Sequence, residues 1–210
     1  GDFTPPDAPD NRPRPGQETG PALARRAAEA GAFVAVAHPH WSRLTLEDAL
    51  SLDAAHAVEA YNHGTAQGAD RGDGLHMADL MLTEGVQVGL IATDDAHFRN
   101  VDAFGGWVMV KAPENTPEAL VAALKAGHYY ASRGPELREI RRDGARLIVG
   151  TSPVEAVIVQ GPSPQTKSAR GPALTRAEID LDALADAPWL RVTAVDAAGR
   201  RAWSNPIRRR

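Results

Sequence analysis

A chain of 210 residues with 43% hydrophobic and 24% charged residues is long enough to bury a sizeable core, and disorder, collagen and coiled coil are excluded. The formal net charge of -4 argues against a general nucleic-acid binder, and no apolar run approaches the roughly 20 residues of a membrane span. Without cysteine there are no disulfides and no thiolate ligands, so any metal must be held by His, Asp, Glu or Asn.

Residues 1–20 are polar and proline-rich, lack the regions of a signal peptide, and read as a linker or long loop. Residues 23–29, rich in Ala and Arg, predict a helix that Gly31 closes. Residues 32–37 predict a short apolar strand halted at His38-Pro39-His40. A helix is expected over 45–52, because Thr45 and Asp48 have the spacing of a capping box. A second strand, 57–60, runs into Tyr61-Asn62-His63-Gly64. The glycines of 64–74 lack the pattern of a phosphate-binding loop and read as a rim loop. A helix over 75–84 stops at Gly85, and a third strand, 86–92, leads into Thr93-Asp94-Asp95-Ala96-His97. A fourth strand is expected at 107–110, then a helix over 116–126 with Pro117 in its first turn. Beyond Gly134-Pro135 come short strand candidates at 137–140, 146–149, 155–160, 190–195 and 201–204, with a hairpin signal at Asp143-Gly144.

Alternating strands and helices predict a parallel sheet of four β/α units, followed by short strands that predict a small antiparallel β domain. The expected organisation is a linker over 1–20, an α/β part over 21–135 and a β domain over 136–210.

Three successive strand ends carry ligand-capable side chains: His38 and His40, then Glu59 and Asn62, then Asp94, Asp95 and His97. In parallel α/β folds, sites form at the carboxyl ends of strands, where loops converge. In extended backbone Asp95 and His97 face one side, so a carboxylate and an imidazole can reach one ion. His38 follows its strand directly and is aimed by Pro39. These three are the candidate metal ligands. The plainer readings are a capping histidine at 38 and a salt-bridged loop histidine at 97. His40, Glu59, Asn62 and Asp94 are candidates for the pocket or for support of the ligands. Arg99 and Arg133 are candidate anion binders, because guanidinium forks match phosphate geometry.

In order along the chain, Val36-Ala37-His38-Pro39, Val58-Glu59-Ala60-Tyr61-Asn62 and Ala92-Thr93-Asp94-Asp95-Ala96-His97 resemble the later motifs of the PHP (polymerase and histidinol phosphatase) metallohydrolase family. Tyr129-Tyr130-Ala131-Ser132-Arg133-Gly134-Pro135 and Ala202-Trp203-Ser204-Asn205-Pro206-Ile207 resemble its branch named for the carbaryl hydrolase CehA/McbA. The resemblance implies an α/β fold, here the C-terminal units of a distorted (β/α)7 barrel followed by the small antiparallel β domain. It implies divalent metal ions (Zn, Mn or Fe), two or three in the complete enzyme. It also implies hydrolysis of phosphoesters by metal-activated water, or of carbamate and carboxylic esters in this branch. His38 matches the family's His-Pro ligand, and Asp95 and His97 match its last Asp-x-His pair; no catalytic residue is assigned.

The family's opening His-x-His and Ser-Asp-Gly motifs have no counterpart here, since no His precedes His38. The chain is therefore expected to be a C-terminal piece, weakly active alone and completed by an upstream segment of the same polypeptide. A small-molecule phosphoester is the expected partner, without stable nucleic-acid or membrane partners, in a cytoplasmic setting. The competing expectation is a non-catalytic, degenerate module, which metal content would distinguish.

Overall fold

Side chains that accept backbone N–H groups set where most of the helices start. Thr19 caps α1 (Gly20–Glu29), Thr45 caps α2 (Leu46–Ser51) and Asn62 caps α3 (His63–Ala69). The next helix, α4 (Leu75–Thr83), starts at Gly74 without a side-chain cap, and Thr116 caps α5 (Pro117–Lys125). The structure, a computed structural model, describes residue 16 and residues 18–98 and 101–208. No described helix is long and apolar enough to cross a membrane.

Three short strands, β1 (Ala35–Val36), β2 (Ala57–Asn62) and β3 (Gly89–Thr93), form a parallel sheet in the order β1-β2-β3. All six residues of β2 are buried, as befits a central strand covered on both faces. A second sheet holds eight strands, all antiparallel to their neighbours. They are β4 (Trp107–Val110), β5 (Tyr129–Ser132), β6 (Leu137–Asp143), β7 (Arg146–Gln160), β8 (Thr166–Asp180), β9 (Trp189–Val195), β10 (Arg201–Ser204) and β11 (Ile207–Arg208). Their order is β4-β5-β10-β9-β7-β6, with β8 paired to β7 and β11 to β9.

This arrangement corrects the expected barrel. The chain holds more strand than helix, 38% against 23%, its larger sheet is a curled antiparallel one, and it is not built as the units of a (β/α)7 barrel. The decisive element is β4, expected as a fourth parallel strand. Instead it pairs antiparallel with β5, Trp107 opposite Ser132 and Val110 opposite Tyr129. The pairing continues where Lys111 N donates to the His128 carbonyl at 2.8 Å. The segment carrying α5 is thus the long loop of a hairpin, not a crossover to a parallel neighbour.

Other differences are local. The expected strands at 146–149 and 155–160 are one bent strand, β7, which changes register between Gly150 and Ala156. The glycine-rich stretch after Asn62 holds α3 rather than only a loop. Strand β8 has no apolar alternation to reveal it, because most of its side chains are exposed on both faces.

The two sheets share a core. Trp189 and Trp203, from the antiparallel sheet, are 1% and 3% exposed and pack in one cluster with Val58, Ala60 and Tyr61 of β2 and with Met81 and Leu82 of α4. Two polar links cross the same boundary. Arg191 of β9 donates through Nε and Nη2 to both carboxylate oxygens of Asp79 on α4, at 2.7 and 2.8 Å. Asn205 accepts from Leu90 N at 2.8 Å and donates to the Gly127 and Tyr129 carbonyls at 3.0 Å. These contacts fasten the antiparallel sheet to α4 and to the amino end of β3.

Candidate functional site

The chain turns sharply as it leaves β1. His38 has φ +30°, and Pro39 behind it is buried against Gly74, where there is no room for a side chain. The hub of the strand ends is Glu59, 6% exposed. Its Oε2 accepts from His38 N and from Asn62 Nδ2, and its Oε1 accepts from Thr93 Oγ1 at 2.7 Å. One buried carboxylate thereby ties β1, β2 and β3 together, and each of its oxygens is satisfied. Asn62, 1% exposed, caps α3 through Oδ1 and reaches Asp95 Oδ2 with Nδ2 at 3.2 Å. Glu59 and Asn62 thus support the strand ends from beneath.

The loop after β3 is folded onto α3. Gly64 N donates to the Asp94 carbonyl at 2.8 Å, and a Cβ at Gly64 would stand 3.0 Å from the carbonyl oxygens of Asp94 and Asp95. Asp94 Oδ2 accepts from Phe104 N at 2.9 Å, closing the loop on itself. Asp95 has φ +49°. Left-handed backbone at a non-glycine residue costs on the order of 1–3 kcal/mol and concentrates at functional sites.

His38, Asp95, His97 and Asp102 line one open cavity of about 860 Å³, with Trp41 and Val101 among its other lining residues. The hydrogen bonds define which nitrogens face outward. His97 Nδ1 lies 2.8 Å from the Asp95 carbonyl, which only accepts, so Nδ1 carries the proton and Nε2 presents a lone pair. His38 Nδ1 is bonded to Ser42 Oγ at 2.7 Å, which leaves its Nε2 for a ligand. The Trp41 ring stands edge-on to that imidazole, centroids 5.0 Å apart.

Asp102 is the residue that sequence reasoning missed. It is 5% exposed, its Oδ2 accepts from His97 N at 3.0 Å, and its buried Oδ1 has no partner among the described residues. The available signal was an aspartate five residues beyond His97, close enough to brace the loop. The remaining candidates fall elsewhere. His40 is exposed on the turn after Pro39 and does not line the cavity. Arg133 is outside the lining too: its guanidinium lies 3.8 Å over the ring of Tyr61, whose hydroxyl is 2.9 Å from His63 Nδ1. Burial raises the Tyr61 hydroxyl above its ordinary pKa against the opposing pull of Arg133. Arg99 lies outside the described residues.

The donors fit a divalent metal in kind. Imidazole nitrogens and carboxylate oxygens suit Zn, Mn or Fe, and the orphaned Asp102 Oδ1 is the sort of group a cation satisfies. Among the described residues, however, no three His, Asp or Glu side chains stand together at ligating separation. Comparison with family models, with curated proteins and with solved structures finds no match to this chain.

Proposed function

We propose that this chain is a metal-dependent hydrolase of small-molecule esters, phosphoesters foremost, acting at the strand-end cavity in a cytoplasmic setting. The supporting observation is that His38, Asp95 and His97 line one cavity at the ends of β1 and β3, His38 and Asp95 in left-handed backbone. The motif resemblance to the PHP metallohydrolases points the same way. A divalent ion held there supplies Lewis-acid polarisation of the ester and an activated water. His38 and His97, through their imidazoles, and Asp95, through its carboxylate, would hold it. Glu59 fixes the His38 backbone, while Ser42 fixes its ring. Carbamate and carboxylic esters are the alternative substrates.

The test uses the purified chain stripped with EDTA, then supplied with Mn2+ or Zn2+ and assayed on para-nitrophenyl phosphate and on an aryl carbamate. Hydrolysis should return only with metal, and His38→Ala should lower it by at least about tenfold. Preference for the carbamate selects the alternative substrate class. Hydrolysis indifferent to EDTA overturns the reading, and a folded chain that binds no metal at millimolar concentration is the degenerate module.

A further inference from the structure

Two arginines meet at the rim of the junction between the sheets. The pairing of β5 with β10 sets Ser132 opposite Ala202, and one step further Arg133 N donates to the Arg201 carbonyl at 2.8 Å. Arg133 therefore stands opposite Arg201, on the face where Trp203 stacks with Tyr61, and β-carbons so paired are about 4.5–5.5 Å apart. Like charges opposite each other destabilise a strand pair. Neither guanidinium has an ion-pair partner among the described residues. On the same sheet Arg141 pairs with Glu139, Arg176 with Glu178 and Arg191 with Asp79. Arg133 is also half-buried: its Nε is shielded from water without an acceptor, and its guanidinium carbon rests 3.8 Å over the ring of the buried Tyr61. Packing thus fixes the place of this cation, and only its outer nitrogens are left to meet a partner. A group held in advance loses little entropy on capturing an anion.

We propose that Arg133 and Arg201 form a binding site for a phosphate dianion, either inorganic phosphate or the head of a phosphomonoester. The charge count selects this class. Two guanidinium cations are balanced by a phosphomonoester, which carries close to two negative charges at neutral pH, whereas one carboxylate leaves a cation uncompensated. Guanidinium forks also match the spacing of phosphate oxygens. Arg133 is the preset half of the site, and the exposed Arg201 is the half free to close on the ligand. A bound dianion relieves the repulsion between β5 and β10, so binding stabilises the fold. Neither arginine lines the strand-end cavity, so the site needs no metal and stands apart from the hydrolytic reading.

The test titrates the full chain with inorganic phosphate in EDTA, followed by amide chemical shifts, against chloride of equal ionic strength. Binding should be saturable at one phosphate per chain, and Arg133→Gln and Arg201→Gln should each weaken it about tenfold or more. A second titration with phenyl phosphate distinguishes the sources: tighter binding than inorganic phosphate identifies a phosphomonoester, weaker binding the free ion. Thermal melting should cross over. Without phosphate Arg201→Gln is at least as stable as the wild type, because the like-charge pair is gone, and in saturating phosphate it is less stable. Arg201 is exposed, so this variant keeps its fold even if Arg133→Gln does not. Shifts no larger than those from chloride, or equal phosphate affinity in the wild type and Arg201→Gln, overturn the inference. Loss of the metal-dependent hydrolysis leaves it standing.

Discussion

Glu59 shows how much one side chain decides at the residue scale. It receives three donors from three strands while almost wholly buried. Glu59→Ala leaves those donors without their acceptor, at roughly 1–3 kcal/mol for each that stays unsatisfied. Glu59→Gln should cost less, because an amide oxygen can accept from His38 N and Asn62 Nδ2 while its nitrogen donates to Thr93 Oγ1. Urea unfolding of the two variants checks that order; equal losses would mean that the charge, not the hydrogen-bond geometry, holds the strand ends. That His38, Asp95 and His97 lie just beyond short apolar strands was readable from the sequence, because those strands are local apolar runs. Asp102 was not, because an aspartate in a loop becomes noteworthy only when its burial and its unpaired oxygen are known.

Helix α4 illustrates the element scale. It is held by apolar packing on β2 and by the pairing of Asp79 with Arg191, whose side chains are 21% and 3% exposed. Arg191 also donates to Thr193 Oγ1 at 2.9 Å. Removing one partner of a buried pair leaves an uncompensated charge and typically costs 3–5 kcal/mol, whereas an apolar replacement of both is often neutral. Asp79→Ala should therefore be destabilised by about 3 kcal/mol, and Asp79→Leu combined with Arg191→Met by much less. Denaturant midpoints of the single and double variants measure the difference; additive losses would show that the pair is not coupled. The start of α2 was readable in advance, because its capping box spans only Thr45 to Asp48. Hydrogen bonding from Thr45 holds the Asp48 carboxyl below its ordinary pKa.

For the whole molecule, the three tyrosines report on integrity. Burial raises the pKa of Tyr61, Tyr129 and Tyr130, most of all Tyr129, which is 7% exposed beneath α5 and Asn205. A raised folded-state pKa means that the neutral form is favoured by folding. The associated stability is fully present below the unfolded tyrosine pKa of about 10 and is lost as pH rises beyond it. Tyrosinate absorbance should lag behind that of free tyrosine and then rise together with loss of circular dichroism at strongly alkaline pH. Titration near pH 10 with the fold intact would show that these hydroxyls are not sequestered. Because Trp189 and Trp203 share a core with β2 and α4, both sheets should lose structure in one transition.

What the sequence alone determined were features whose cause lies within a few residues. These are the capping box of α2, the start of α5 at Pro117, the turn at Asp143-Gly144, the short apolar strands, and the polar residues at their ends. Capping, turn chemistry and periodicity act locally, so they can be read locally. The tertiary structure alone decided which strands pair. Residues 107–110 carry the same pattern whether their neighbour is parallel or antiparallel, and only the return of Tyr129–Ser132 along that edge set the choice. It also decided the exposed β8, the single bent β7, and the placing of Asp102 on the same cavity as His38, residues 64 positions apart in the chain. Such outcomes depend on closing long loops around a shared core, and that free energy is not written in any one segment.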